Sequence, residues 1–130
     1  MTPEKDISRI VASVCAQSGH WPYTGSAELY IGYRPGEERM TFASDRILRT
    51  QVSYDIVIAA KRGGAAEQME AMRYKLYAAL LAAGWRIEGD PGPETYVSQH
   101  GLFLWPVTAA RAFAIGADGQ PHAPGSDMEV

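Results

Sequence analysis

The sequence predicts an α+β fold, with a mixed, mainly antiparallel sheet of four to five strands packed against two helices. Three observations predict it. Apolar residues recur at helical spacing in two separate stretches, the period changes to two between them, and short strand-like runs follow the second helix. A chain of 130 residues fits one domain. We assign it to residues 1–115, with 116–130 expected to be a flexible tail because that stretch is rich in glycine and proline and has little to bury.

Thr2 is placed to cap the first helix and Pro3 suits its first position. Ile7, Ile10, Val11, Val14 and Cys15 then form an apolar stripe, and Gly19 reads as the stop signal. Glu4, Lys5, Ser8, Arg9 and Ser13 make the other face polar, so this helix needs a partner surface. The tract from His20 to Gly25 reads as a turn-rich loop. Residues Glu28 to Tyr33 form a candidate strand. After it, Arg34-Pro35-Gly36-Glu37-Glu38-Arg39 reads as an exposed hairpin tip or long loop.

From Gln51 to Lys61, Val52, Tyr54, Ile56 and Ile58 share one face of a strand, and β-branched residues support it. Lys61-Arg62-Gly63-Gly64 then turns the chain. The second helix is expected from about Ala65 to Ala83, with Met69, Met72, Leu76, Leu80 and Ala83 inward, extended by Tyr77. Its outer face is unusual, because Ala71, Ala78 and Ala82 line up there between Glu67 and Lys75. Helix propensity explains alanine well, and a small-residue face also lets another subunit approach closely.

Gly84 ends that helix, and Trp85-Arg86-Ile87 starts a short strand. Asp90-Pro91-Gly92-Pro93 is a turn signal. Thr95 to Ser98 and Leu102 to Ile115 read as further strands. Pro106 lacks a backbone N–H, so the last strand should lie at an edge, bulge or break there. Leu102, Phe103, Leu104, Trp105 and Val107 are apolar on both faces, which calls for cover within the chain or from a partner.

An apolar fraction of 46% is ordinary for a folded domain. A formal net charge of -3, from 12 basic and 15 acidic residues, gives no general drive towards nucleic acid or anionic membrane. No apolar run approaches the roughly 20 residues of a membrane span, and no secretory signal is visible. The single cysteine, Cys15, excludes an intrachain disulfide and reads as a small buried hydrophobe.

No constellation carries catalytic chemistry. His20, His100 and His122 are scattered over expected loops at no metal-ligand spacing, and read as solvent-exposed. Glu37 with Glu38 and Glu67 with Glu70 read as solvated charges. Gly63-Gly64 before a helix is explained by a tight turn rather than anion binding. The aromatics Trp21, Tyr23, Tyr30 and Tyr33 read as core and interface groups. We therefore expect no enzyme, cofactor or metal.

The order and spacing of several stretches resemble a known family. These are Thr41-Phe42-Ala43-Ser44-Asp45-Arg46, then Val52 through Lys61, an amphipathic helix over Glu67 to Leu81, Glu94-Thr95-Tyr96-Val97, Gly101-Leu102-Phe103-Leu104-Trp105, and Arg111-Ala112-Phe113-Ala114-Ile115. With the tract Trp21-Pro22-Tyr23-Thr24, they cover roughly residues 5 to 115 and resemble the tail terminator proteins of long-tailed phages. Ala59-Ala60, Pro106 and the Gly/Pro-rich tail depart from that pattern.

The resemblance implies a virion structural protein of the tail and neck, made in the host cytoplasm. Tail terminators form a hexameric ring that caps the tail tube, ends its polymerisation and meets the head connector, while DNA passes through the lumen without sequence-specific binding. A ring needs two different patches on each subunit. The expected assembly residues are Ala71, Ala78 and Ala82 on the helix, Trp105 on the last strand, and Arg34, Glu37, Glu38 and Arg39 for the tube protein or connector. Six copies of -3 give -18, so an acidic lumen would let DNA slide. Alternatives are another neck component, such as a head completion or connector protein, or a small-ligand or peptide-binding module using Trp21, Tyr23 and Tyr33. An enzyme would need His20 or Cys15 beside a partner base.

Overall fold

A computed structural model describes residues 2–22, 27–61, 64–88, 95–97 and 101–122, with only the backbone of 64–66, 95 and 97. The elements are helix α1 (Pro3–Val14), strands β1 (Ser18–His20), β2 (Leu29–Ala43) and β3 (Arg46–Lys61), helix α2 (Gly64–Ala82), and strands β4 (Arg86–Ile87), β5 (Thr95–Val97), β6 (Leu102–Ile115) and β7 (Pro121–His122). The sheet runs β1-β2-β3-β6-β4, and β5 and β7 also pair with β6. β1 and β2 are parallel, and every other pairing is antiparallel. This is the α+β architecture expected, two helices on a mixed, mainly antiparallel sheet. The expected turn at Asp90–Pro93, His100, Tyr23 and residues 123–130 lie outside the described residues.

Helix α1 begins as expected. Thr2 accepts the Lys5 N–H through its hydroxyl, and Pro3 occupies the first turn, where a missing donor costs nothing. Ile7, Ile10 and Val11 are buried. The helix ends at Val14, five residues before the expected stop at Gly19, because the chain turns extended at Cys15 and then pairs as β1. Gly19 is a strand residue instead. A Cβ there would come within 2.8 Å of the Tyr30 hydroxyl, which donates to the His20 carbonyl.

The largest departure is in β2. Arg34 to Arg39 was expected as a loop or hairpin tip, yet β2 continues through it to Ala43, and the turn lies at Ser44-Asp45. Pro35-Gly36 is absorbed by a bulge, since the register shifts between Pro35↔Tyr54 and Glu38↔Val52. Ser53 bridges that irregularity: its hydroxyl accepts the Glu37 N–H at 2.8 Å and reaches the Glu37 carbonyl at 3.3 Å. A side chain that satisfies backbone groups within the bulge lets the strand run on.

On β3, Val52, Tyr54, Ile56 and Ile58 are buried on one face, as the period of two requires. Helix α2 covers that face through Met69, Leu76 and Leu80, all buried, with Met72, Tyr77 and Ala83 at the margin. Trp85 and Phe113 complete the core with their rings edge to face at 5.7 Å. Each fully buried large apolar side chain contributes roughly 1.5–3 kcal/mol.

Pro106 neither breaks nor bulges β6, whose pairing with β3 is continuous from Arg49↔Ala114 to Lys61↔Leu102. The Thr108 carbonyl accepts the Glu88 N–H, so it points away from β3. Residue 106 lies two positions earlier and points the same way. Its imide nitrogen therefore faces the outer edge between the β5 rungs at 102–104 and the β4 rungs at 109–110. Among the described residues, that edge offers the proline no ladder partner.

Beyond Ile115 the segment assigned to a tail first turns back. Gly119 adopts φ +76, and β7 pairs Ala114↔His122 and Ile115↔Pro121. His122, expected on an exposed loop, is buried, with its Nε2 2.9 Å from Asp118. His20 is exposed as expected, but on strand β1, 2.9 Å from Glu4.

Candidate assembly surfaces

The expected interface residues fall into two separate groups. Arg34, Glu37, Glu38 and Arg39 lie on the bulged stretch of β2, all exposed. The bulge sends them to both faces of the sheet. Arg34 pairs with Asp55 at 3.8 Å on the face away from the helices, and Asp55 also accepts the Thr108 hydroxyl at 3.2 Å. Glu38 lies on the helix side and accepts the buried Thr50 hydroxyl at 2.7 Å. Arg39 and Glu37 approach to 3.7 Å in solvent, a contact worth little. Around these residues the helix-free face carries a shallow polar hollow of about 520 Å³, lined by Glu37, Arg39, Gln51, Asp55, Glu88 and Thr108.

This stretch leads into an arm. From Arg34 to Phe42 every residue of β2 is exposed, and the final rungs, Phe42↔Ile47 and Ala43↔Arg46, extend past the last pairing of β3 with β6. Met40 (44% exposed), Phe42 (64%) and Leu48 (42%) project from it. Sequence reading missed them. The signal was the apolar alternation at Met40 and Phe42 beyond a charged segment that looked like a loop.

The second group is on α2 and β6. Ala71, Ala78 and Ala82 are exposed, as the helical spacing predicted, and Tyr74 (59%) and Leu81 (58%) share that outer face. Trp105 is half-buried on the helix side of β6. The Arg73 guanidinium lies 3.8 Å over its ring, and the Trp105 indole N–H donates to the Tyr77 hydroxyl at 3.1 Å. Tyr77 in turn meets Tyr74 edge to face at 6.0 Å. Arg73, Tyr74, Tyr77 and Trp105 thus form one aromatic cluster at the solvent boundary.

Of the aromatics named for a small-ligand module, only Trp21 and Tyr33 lie among the described residues. Tyr33 is buried, and Trp21 lies over Gly32, where a Cβ would come within 2.6 Å of the indole. Cys15 is buried. Among the described residues, no three of His, Cys, Asp or Glu converge as a metal site, and no helix is long and apolar enough to cross a membrane. No protein-family model matches the chain, and no curated protein matches it.

Proposed function

We propose that this chain is a structural subunit that joins copies of itself in a ring, and that the ring ends a phage tail tube and meets the head connector. What carries the reading is the presence of two unlike apolar surfaces on one small chain, the Met40–Phe42–Leu48 arm and the Tyr74–Leu81 face of α2. Large exposed apolar groups gathered in patches mark interaction surfaces. Two different patches per subunit are what head-to-tail closure of a ring requires. The role is assembly rather than catalysis, with the tube protein and connector as further partners and DNA passing through the lumen.

The test is growth of tail tubes from purified tube protein with this chain added. Tubes capped at one end by a ring, and halted in length, support the reading. Tubes that lengthen unchanged, with no ring bound to an end, overturn it. A ring that instead binds isolated head connectors would identify another neck component, such as a head completion protein.

A further inference from the structure

We infer that Asp118-Gly119 is a latent isoaspartate-forming site, and that the hairpin joining β6 to β7 keeps it closed through His122. The inference stands apart from the ring reading and concerns the covalent fate of one turn.

The sequence supplies the reactive pair. Asp118-Gly119 is the one Asp-Gly step in the chain, and the chain has no asparagine. At such a step the glycine amide nitrogen attacks the side-chain carboxyl carbon of the aspartate, since glycine carries no side chain to shield that nitrogen. The new C–N bond forms as the carboxyl C–OH bond breaks, and the hydroxyl leaves as water with the amide proton. Water then reopens the succinimide ring. Opening at the side-chain carbonyl regenerates aspartate, and opening at the main-chain carbonyl gives isoaspartate. No oxidant or other reagent enters. The turn needs only a free nitrogen and a carboxyl that is protonated and able to rotate.

The fold withholds each of these. The Gly119 N–H donates to the Gly116 carbonyl at 3.0 Å, which commits the attacking nitrogen within the turn. One Asp118 oxygen accepts the Gln120 N–H at 3.0 Å, and His122 Nε2 lies 3.0 and 2.9 Å from the two oxygens. The carboxyl is thus pinned towards residues 120 and 122. The Gln120 N–H first, and His122 next, hold it below the usual carboxylate range, so it stays ionised and lacks a hydroxyl to lose. His122 is itself buried and pairs with Ala114, which anchors the pin to the sheet. Glycine is required here for another reason, because residue 119 has φ +76. The reactive step is therefore a by-product of the turn, and His122 guards it.

Reaction would also be hard to reverse structurally. Isoaspartate routes the main chain through the side-chain carbon and lengthens the turn. The Gly116 N–H bond to the Gln120 carbonyl and the rungs Ala114↔His122 and Ile115↔Pro121 then lose their spacing. A hairpin that has reacted does not close again in the same register.

The experiment incubates the full chain in warm neutral buffer, counts isoaspartate by isoaspartyl methyltransferase labelling, and locates it by peptide mapping. Folded wild type should gain label at least about tenfold more slowly than the same chain in guanidinium, since reaction waits on local opening. His122→Ala, where it keeps the wild-type circular dichroism, should gain label at Asp118 several-fold faster than folded wild type. Asp118→Asn forms the same ring with loss of ammonia, and its conversion to the acid is read by mass. It should react more slowly folded than in guanidinium, because the Gly119 nitrogen is held in the fold. Equal labelling of folded and unfolded wild type would overturn the inference, as would a folded His122→Ala that labels no faster than wild type. Should His122→Ala fail to fold, equal rates for Asp118→Asn in the two states would overturn it. Label gathered at a different aspartate would overturn it as well.

Discussion

Asp6 and Arg111, 105 positions apart, meet at 2.8 Å beneath α1, with the carboxylate only 2% exposed. The same oxygen accepts the Trp85 indole N–H at 2.8 Å, and the other oxygen accepts Arg9 at 2.8 Å. One buried charge thereby ties the first turn of α1 to the chain after α2 and to the middle of β6. Gly84 makes room for it, because a Cβ there would press within 3.3 Å of the Arg111 guanidinium.

Removing the carboxylate leaves Arg111 largely enclosed without its counter-charge. We expect Asp6→Ala to destabilise the fold by about 3–5 kcal/mol, the range for breaking one side of a buried pair. The double variant Asp6→Leu with Arg111→Met should recover much of that loss, since no unpaired charge remains. Urea denaturation of the two variants checks both statements. Equal stability of the single variant and wild type would refute the account.

Much of this fold was legible because hydrophobic period is a strong signal where one face is covered. The α1 stripe, the Val52–Ile58 alternation and the Met69–Leu80 stripe all lie where spacing placed them. What failed was local chemistry decided by distant partners. Pro35-Gly36 looks like a turn in sequence, and only the Ser53 hydroxyl across the ladder turns it into a bulge. Gly19 looks like a helix stop, and only the Tyr30 hydroxyl, 2.8 Å from where a Cβ would sit, explains a glycine within that strand. Asp6 falls at helical spacing from Ile10 on the buried side, a charge on an apolar stripe whose partners the sequence does not reveal. The alanine face of α2 and Trp105 were readable as surface candidates. Their neighbours Tyr74 and Arg73 were not, because periodicity does not indicate which side chains stack.

Tyr54 gives the fold a dependence on alkaline pH. Burial first, and then the charges of Glu4, Tyr33 and Glu38, push its phenol up to about 12 from an ordinary value of 10.0. The folded state thus favours the neutral phenol. Its contribution is fully present below pH 10.0 and is lost as pH rises through about 12, because the unfolded chain ionises first. Near-ultraviolet absorbance should therefore show one tyrosine titrating late, and Tyr54→Phe should flatten this part of the alkaline denaturation curve. An unchanged curve in Tyr54→Phe would assign the effect elsewhere.

Pro106 lies in a paired strand without harm because its imide points away from β3, between the β5 rungs and the β4 rungs. Pro106→Ala restores an N–H to an edge that has no ladder partner among the described residues. The gain in unfolded-state freedom should cost about 0.4–1 kcal/mol, and no hydrogen bond to β3 changes. Thermal unfolding measures this. A loss of several kcal/mol, or a shifted β3–β6 register seen in amide contacts, would mean that the nitrogen faces β3 instead.

The arm should open independently of the core. Past Arg49↔Ala114 the hairpin has no third strand among the described residues, and Met40, Phe42 and Leu48 gain little from burial in their own chain. A two-stranded ribbon in water is marginal without packing, whereas the rungs around Ile56 and Ile58 lie under both helices. Local opening free energies follow that difference. Native-state hydrogen exchange on dilute protein should find amides of residues 40–48 exchanging far faster than those of 54–58. At concentrations where copies assemble, protection should rise on the arm and leave the central rungs unchanged. Uniform protection along β2 and β3 in the dilute protein would mean that the hairpin is held within its own chain, and the arm would lose its claim as a surface left open for a partner.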